Sequence, residues 1–275
     1  MTSNSNTPLF EAAGVRKDFG GVVAVDVDRI DIVRGTLVSL IGPNGAGKTT
    51  FFDVVTGFQN AKTGTVHFDG EAISGGEPYK IARRGLVRSF QLTRVLARMT
   101  VMDNMLLAAD DQPGERLYGQ FIPGAVRRKE TEITHRADEL LERFSLMHVR
   151  DEYAGRLSGG QKKLLELARA LMVRPQMMLL DEPMAGVNPA LGETLLQYVQ
   201  ELRDEGMTFL LVEHDMDVVM RVSERVIVMA AGRVIADGSP AQVRGDQRVV
   251  DAYLGEHAAE QIAAAEAHAQ EAHRE

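Results

Sequence analysis

Cysteine and tryptophan are absent from the 275-residue chain, and aromatic residues make up only 5% of it. Without cysteine there is no disulfide framework and no thiolate chemistry. Long apolar runs are missing too. Stretches such as Thr208–Val212 and Arg225–Ala231 fall far short of the about 20 residues that a membrane helix needs. The N-terminal run Met1 to Pro8 is polar, with neither a basic segment nor an apolar stretch, so it does not read as a secretory leader. The chain is therefore expected to be soluble, and any work at a membrane needs another polypeptide to supply the span. Positive charge is in deficit: 31 Lys and Arg stand against 39 Asp and Glu, a net charge of −8, which argues against nucleic acid as the main partner.

What is present points to one large α/β domain. Apolar residues reach 44%, enough for a substantial core. Strand and helix signals alternate, as in a mostly parallel sheet with helices on its faces. Thr36–Ile41 reads as a buried strand running into a glycine-rich loop, and Thr49–Thr56 as the helix after it, with Gly57 as its stop. Met177–Leu180 and Met207–Val212 are short apolar runs of the buried parallel type. Arg225–Met229 and Arg233–Asp237 flank Ala230-Ala231-Gly232, a hairpin turn. Asn188 and Pro189 form an N-cap and first helical position; Leu191, Leu195, Val199 and Leu202 then share one face, and Gly206 ends the helix. From about Thr100 to Leu171 the pattern is helical, broken by Gln112-Pro113-Gly114 and Ile122-Pro123-Gly124. The domain is expected over 8–255. Its core covers about 8–91 and 164–255, a helical subdomain is inserted at about 92–163, and 256–275 forms a helical or frayed tail.

Three motifs carry chemistry. The first is Gly42-Pro43-Asn44-Gly45-Ala46-Gly47-Lys48-Thr49, followed by Thr50. Its glycines let successive backbone N–H groups converge on phosphate oxygens, the following helix adds its positive end, Lys48 neutralises the β- and γ-phosphates, and the Thr49 hydroxyl ligates Mg²⁺. The second is Asp181-Glu182 at the end of an apolar strand. Asp181 suits the Mg²⁺ side of a P-loop site, acting through water, and Glu182 orients or deprotonates the attacking water. The third is Leu157-Ser158-Gly159-Gly160-Gln161. There Ser158 caps a helix running to Met172, whose free N–H groups make an anion site.

In this order the motifs resemble those of ATP-binding cassette (ABC) proteins, over about Leu9 to Glu256. The resemblance implies an α/β P-loop NTPase (RecA-like) core with an antiparallel β element and an inserted α-helical subdomain. It also implies that ATP, with Mg²⁺, is sandwiched between two copies, Ser158, Gly159, Gly160 and Gln161 of one meeting the γ-phosphate held by the other. Three further residues match family positions. Gln91 stands where a glutamine reaches Mg²⁺ and water, and His214 where a histidine lies near the γ-phosphate. Phe19 stands where an aromatic stacks on adenine, with a core phenylalanine as the rival reading. One departure is Asn188, where the family usually has Asp.

Within the family the chain looks like the ATPase subunits of branched-chain amino-acid importers. The residues behind this are Thr56-Gly57-Phe58, the run Gly85 to Gln91, Ala185-Gly186-Val187-Asn188-Pro189, Glu213-His214-Asp215-Met216 and Ala252-Tyr253-Leu254-Gly255-Glu256. Such importers imply a second ABC ATPase subunit (a copy or a paralogue), two transmembrane permease subunits and, indirectly, a substrate-binding protein. They place the chain peripherally on the cytoplasmic face of the inner membrane. Leu92 to Leu107 is then the expected dock for a permease, although Leu92, Val95, Leu96, Met99 and Val101 read equally as core. An exporter ATPase of lipid or lipopolysaccharide type is the alternative, and a non-transport ABC ATPase a more distant one.

Overall fold

The computed structural model describes residues 7–89, 95–109 and 123–254, with the backbone alone for 123–126. They form two compact units, one made of the chain up to Gly75 together with Leu210 onward, the other of Gly76–Phe209.

The first unit contains an antiparallel sheet in the order β2-β1-β4-β5, from β1 (Pro8–Phe19), β2 (Val22–Val33), β4 (Thr63–Phe68) and β5 (Glu71–Ala72). Phe10, Ala12 and Val15 of β1 and Val25, Val27, Ile30 and Ile32 of β2 point into the core. A second set of strands surrounds β3 (Leu37–Ile41), all five of whose residues are buried. β3 pairs in parallel with β9 (Arg225–Ala230), which pairs antiparallel with β10 (Arg233–Gly238). Burial on both faces explains the unbroken apolar composition of β3. The chain then enters α1 (Lys48–Val55), whose Phe51 and Phe52 are fully buried, Phe51 meeting Phe10 edge-on at 6.5 Å. Fully burying a Phe stabilises by about 1.5–3 kcal/mol, so these two rings anchor the helix that follows the glycine loop. Leu210–Val212, the end of β8 (Thr208–Val212), leads to α7 (Met216–Val222) and later α8 (Pro240–Arg244).

The second unit pairs β6 (Leu86–Ser89) in parallel with β7 (Met177–Asp181). Between them in sequence the described residues are helical, as expected: α3 (Val101–Leu107), α4 (Pro123–Arg143) and α5 (Gly159–Leu171), with two short 3₁₀ turns. The one strand-like contact among the described residues of that stretch is a single bridge between Thr100 and Tyr153. α6 (Pro189–Asp204) follows β7, with Asn188 as its cap and Leu195, Val199 and Leu202 buried. Leu191 on the same face is half-buried, because it leans on the start of α5.

Candidate active site

The glycine loop occupies the turn from β3 into α1, where the sequence puts it. A Cβ on Gly42 would stand 2.0 Å from the Met229 carbonyl oxygen, and one on Gly47 2.2 Å from that of Ala24. Both positions have positive φ, 148° and 98°. Backbone packing and dihedral together therefore demand glycine there. The loop is braced from behind by the β9–β10 turn: the Gly232 N–H donates to the Ala46 carbonyl at 3.0 Å, and the Gly232 carbonyl accepts from Asp26 N–H at 2.7 Å. Asn44 and Gly45 face outward, and Thr49 is exposed on the first turn of α1.

Lys48 is only 6% exposed, and its ammonium donates to the Gly42 and Pro43 carbonyls at 2.6 and 2.9 Å. The loop thus curls round its own cation. A glycine loop running into a helix start, with a buried ammonium against its carbonyls, fits a polyphosphate. Also in the first unit, Phe19 ends β1 and is 48% exposed, which excludes a core role, and the Lys17 ammonium lies 4.9 Å from its ring centroid. His214 is exposed just past β8; its N–H donates to the Glu213 carboxylate at 3.2 Å, while Asp215 caps α7 through the N–H groups of Asp217 and Val218.

In the second unit, Asp181 ends β7 and is buried, its Oδ2 accepting from Arg88 Nη2 at 2.7 Å. Glu182 follows with φ +49°. Holding a non-glycine residue in the left-handed region costs about 1–3 kcal/mol, and such strain clusters at functional positions. It turns the half-buried Glu182 side chain out of the strand, and the Glu182 carbonyl closes a turn by accepting from Ala185 N–H at 3.0 Å.

Ser158 caps α5 by a reciprocal pair of bonds: its Oγ accepts from Gln161 N–H at 3.2 Å, and Gln161 Oε1 accepts from Ser158 N–H at 3.0 Å. Ser158 and Gly159 are exposed. A Cβ on Gly160 would stand 2.8 Å from Leu191 Cδ2, so the second glycine of this motif lets α6 approach. Asn188 caps α6 with its Oδ1, taking Leu191 N–H at 2.9 Å. Gln91 lies outside the described residues.

Two contributors were not evident in the sequence. Arg88 is one. Asn104 is the other: fully buried, its side chain accepts from Leu96 N–H at 2.9 Å and donates to the Leu96 and Thr100 carbonyls at 3.1 and 2.8 Å. It pins the segment at 95–100. Within that segment Leu96 is 38% exposed; Val101, starting α3, is fully buried and belongs to the core. Leu92 lies outside the described residues.

The ABC transporter family matches residues 26–185, more than half of the chain, from the glycine loop through Asp181. The chain belongs to the ABC transporter family. A second family, described as branched-chain amino acid ATP-binding cassette transporter, matches residues 233–259 of this cassette. The cassette is 42% identical over 251 residues to the high-affinity branched-chain amino acid transport ATP-binding protein BraF of Pseudomonas aeruginosa, covering 90% of this chain and 98% of that one. It is 40% identical over 247 residues to the probable branched-chain amino acid transport ATP-binding protein LivG of Archaeoglobus fulgidus, covering 90% and 95%. Among solved structures it is similar to a nucleotide-free ATP-binding cassette from an ABC transporter (TM-score 0.77, 38% identity, 90% of this chain and 99% of that one). It is likewise similar to the ADP conformation of such a cassette (TM-score 0.78, 38% identity, 91% and 100%). The fold is that of a P-loop NTPase, and the cassette is a nucleotide-binding ATPase. Among its described residues no helix is long and apolar enough to cross a membrane.

Proposed function

We propose that this cassette hydrolyses ATP to energise the uptake of branched-chain amino acids through separate membrane subunits. The observation that carries this is similarity at about two-fifths identity, over nine-tenths of the chain, to proteins named for branched-chain amino-acid transport. Residues 233–259, matching a family of the same description, add to it.

In this reading the 42–50 loop receives the triphosphate, its N–H groups and the Lys48 ammonium meeting the β- and γ-phosphates, while Phe19 stacks on adenine. Thr49 and Asp181, the latter through water, would hold Mg²⁺, with Gln91 as a further oxygen donor; the ion, when bound, would offset charge on the transferring phosphoryl group. The donors fit: a hydroxyl and a carboxylate are hard oxygen ligands, and among the described residues no group of three or more His, Cys, Asp or Glu forms an all-protein cage. Mg²⁺ takes part of its shell from substrate phosphates and water. Glu182 accepts the proton of the attacking water, and His214 meets the γ-phosphate.

A second ATPase subunit, a copy or a paralogue, completes each site with its own serine-capped turn at 158–161. A hydrogen bond to a charged group contributes about 1.5–3 kcal/mol. A few such bonds to the γ-phosphate at two sites favour the closed pair by several powers of ten, and hydrolysis removes them together. The cassette body is a core of about 8–91 and 164–255 with a helical subdomain at about 92–163. It docks from the cytoplasmic side on two permease subunits fed by a substrate-binding protein.

The test is uptake of labelled leucine by cells lacking the gene and complemented with the wild type or with Glu182→Gln. Restoration by the wild type alone supports the reading. Restored ATPase activity in membranes without restored leucine uptake contradicts the substrate assignment.

A further inference from the structure

Arg88 is a buried charge that the mechanism above leaves unused. Arg88 lies on β6, whose side chains are otherwise those of a short core strand, Leu86, Val87 and Ser89. An arginine in such a place needs a partner. Arg88 donates to Asp181, 93 residues away in sequence, with Nη2 at 2.7 Å from Oδ2. Side-chain exposures are 2% and 4%, so water does not substitute for either group. The pairing is built by the sheet: β6 and β7 run parallel with Arg88 opposite Leu179 and Ser89 opposite Leu180, which brings the arginine's reach to the carboxylate that ends β7. The contact engages Oδ2 and leaves Oδ1 outside it.

We infer that Arg88 is a positioning residue for the metal-side carboxylate: it fixes the rotamer of Asp181 so that one oxygen is spent on the guanidinium and the other is presented to the water through which Asp181 meets the Mg²⁺ that accompanies ATP. This rests on the reading of Asp181 given above. The physical logic is that of the hydrogen-bonded groups behind a metal's ligands, among which Asp181 and Arg88 both stand, and whose loss typically costs about 10–100-fold in metal affinity. A planar guanidinium with a fixed fork holds a carboxylate in place better than a flexible ammonium.

The experiment uses the full chain with Glu182→Gln, so that ATP binds without turnover, and titrates ATP with and without Mg²⁺. Asp181→Asn is the reference and is expected to raise the Mg²⁺ concentration for half-maximal enhancement of ATP binding. If it does not, the reading of Asp181 fails, and the role of Arg88 falls with it. With that reference in place, Arg88→Gln is expected to raise the same Mg²⁺ requirement about tenfold while metal-free ATP affinity stays within about twofold. A Mg²⁺ requirement left at the wild-type value overturns the inference while Asp181 stands. So does an equal fall in metal-free and Mg²⁺-dependent affinity, which marks a merely structural role. Because removing one member of a buried charge pair is strongly destabilising, Arg88→Lys is the second variant. It retains charge but loses the fork, and is expected to shift the Mg²⁺ requirement about threefold. A wild-type requirement in the lysine variant also overturns the proposal.

Discussion

Gly232, in the turn between β9 and β10, donates its N–H to the carbonyl of Ala46 at 3.0 Å, inside the glycine loop. The glycine loop is therefore held in place from a distant part of the chain. Gly232 has φ +81°, and a Cβ there would lie 3.0 Å from the Ala24 carbonyl oxygen. Gly232→Ala is expected to cost about 1–3 kcal/mol of stability and to weaken ATP binding at the same time. Urea denaturation and ATP titration on the same preparation check both. A destabilised variant that binds ATP unchanged would show that the brace is not transmitted to the loop.

Ser158 is asked to serve both as a helix cap and as a ligand for a partner's nucleotide, and the two roles separate by substitution. Ser158→Ala removes the acceptor for Gln161 N–H and is expected to lower stability by about 1 kcal/mol. Ser158→Asn keeps a capping oxygen and is expected to stay within about half of that. Neither removes the Gly159 and Gly160 amides. Chemical denaturation measures the cap; ATP-dependent association of the Glu182→Gln background measures the second role.

Asn188 caps α6: its Oδ1 accepts Leu191 N–H at 2.9 Å. A negative charge at a helix N-terminus is favourable by about 0.3–1 kcal/mol. Asn188→Asp is therefore expected to raise the urea midpoint, while Asn188→Ala lowers it by about 1 kcal/mol in free energy.

Much of this was legible in the sequence, and the reason is locality. The glycine loop, the Ser158–Gln161 cap, the Asn188-Pro189 helix start and the β9–β10 hairpin are each written in a few adjacent residues. So are β3 and β7, whose apolar runs are buried throughout. The strands of the sheet β2-β1-β4-β5 were not legible residue by residue. In β2 the alternation of Val25 and Val27 breaks at Asp28 and Arg29, both exposed, before Ile30 and Ile32 resume it, so a period of two is lost midway. β6 was hidden by Arg88, a residue that reads as surface until Asp181 is placed beside it. Asn104 was invisible for the same reason: its value lies in three backbone partners that only the folded chain gathers.

Arg143 grips Glu205 with two bonds of 2.8 Å, joining the end of α4 to the end of α6. The hydrogen bonds from Arg143 hold the Glu205 carboxyl below a glutamate's usual 4.5. A depressed folded value means the contribution is complete above that usual value and is lost as pH falls through the lower, folded one. Glu205→Gln is thus expected to lose a little stability near pH 7 and to show a shallower acid decline than the wild type. Melting temperatures compared at about pH 7 and about pH 3 check this. The exposed setting keeps the effect small.

The most direct measurement concerns the division of labour between Lys48 and Glu182. ATP binding and single-turnover phosphate release are to be followed in Lys48→Ala and Glu182→Gln. The expected result is that Lys48→Ala loses binding, whereas Glu182→Gln binds ATP near wild-type affinity and releases phosphate about 10²–10⁴-fold more slowly. Wild-type phosphate release by Glu182→Gln, or undiminished ATP binding by Lys48→Ala, would contradict the assignment of the site.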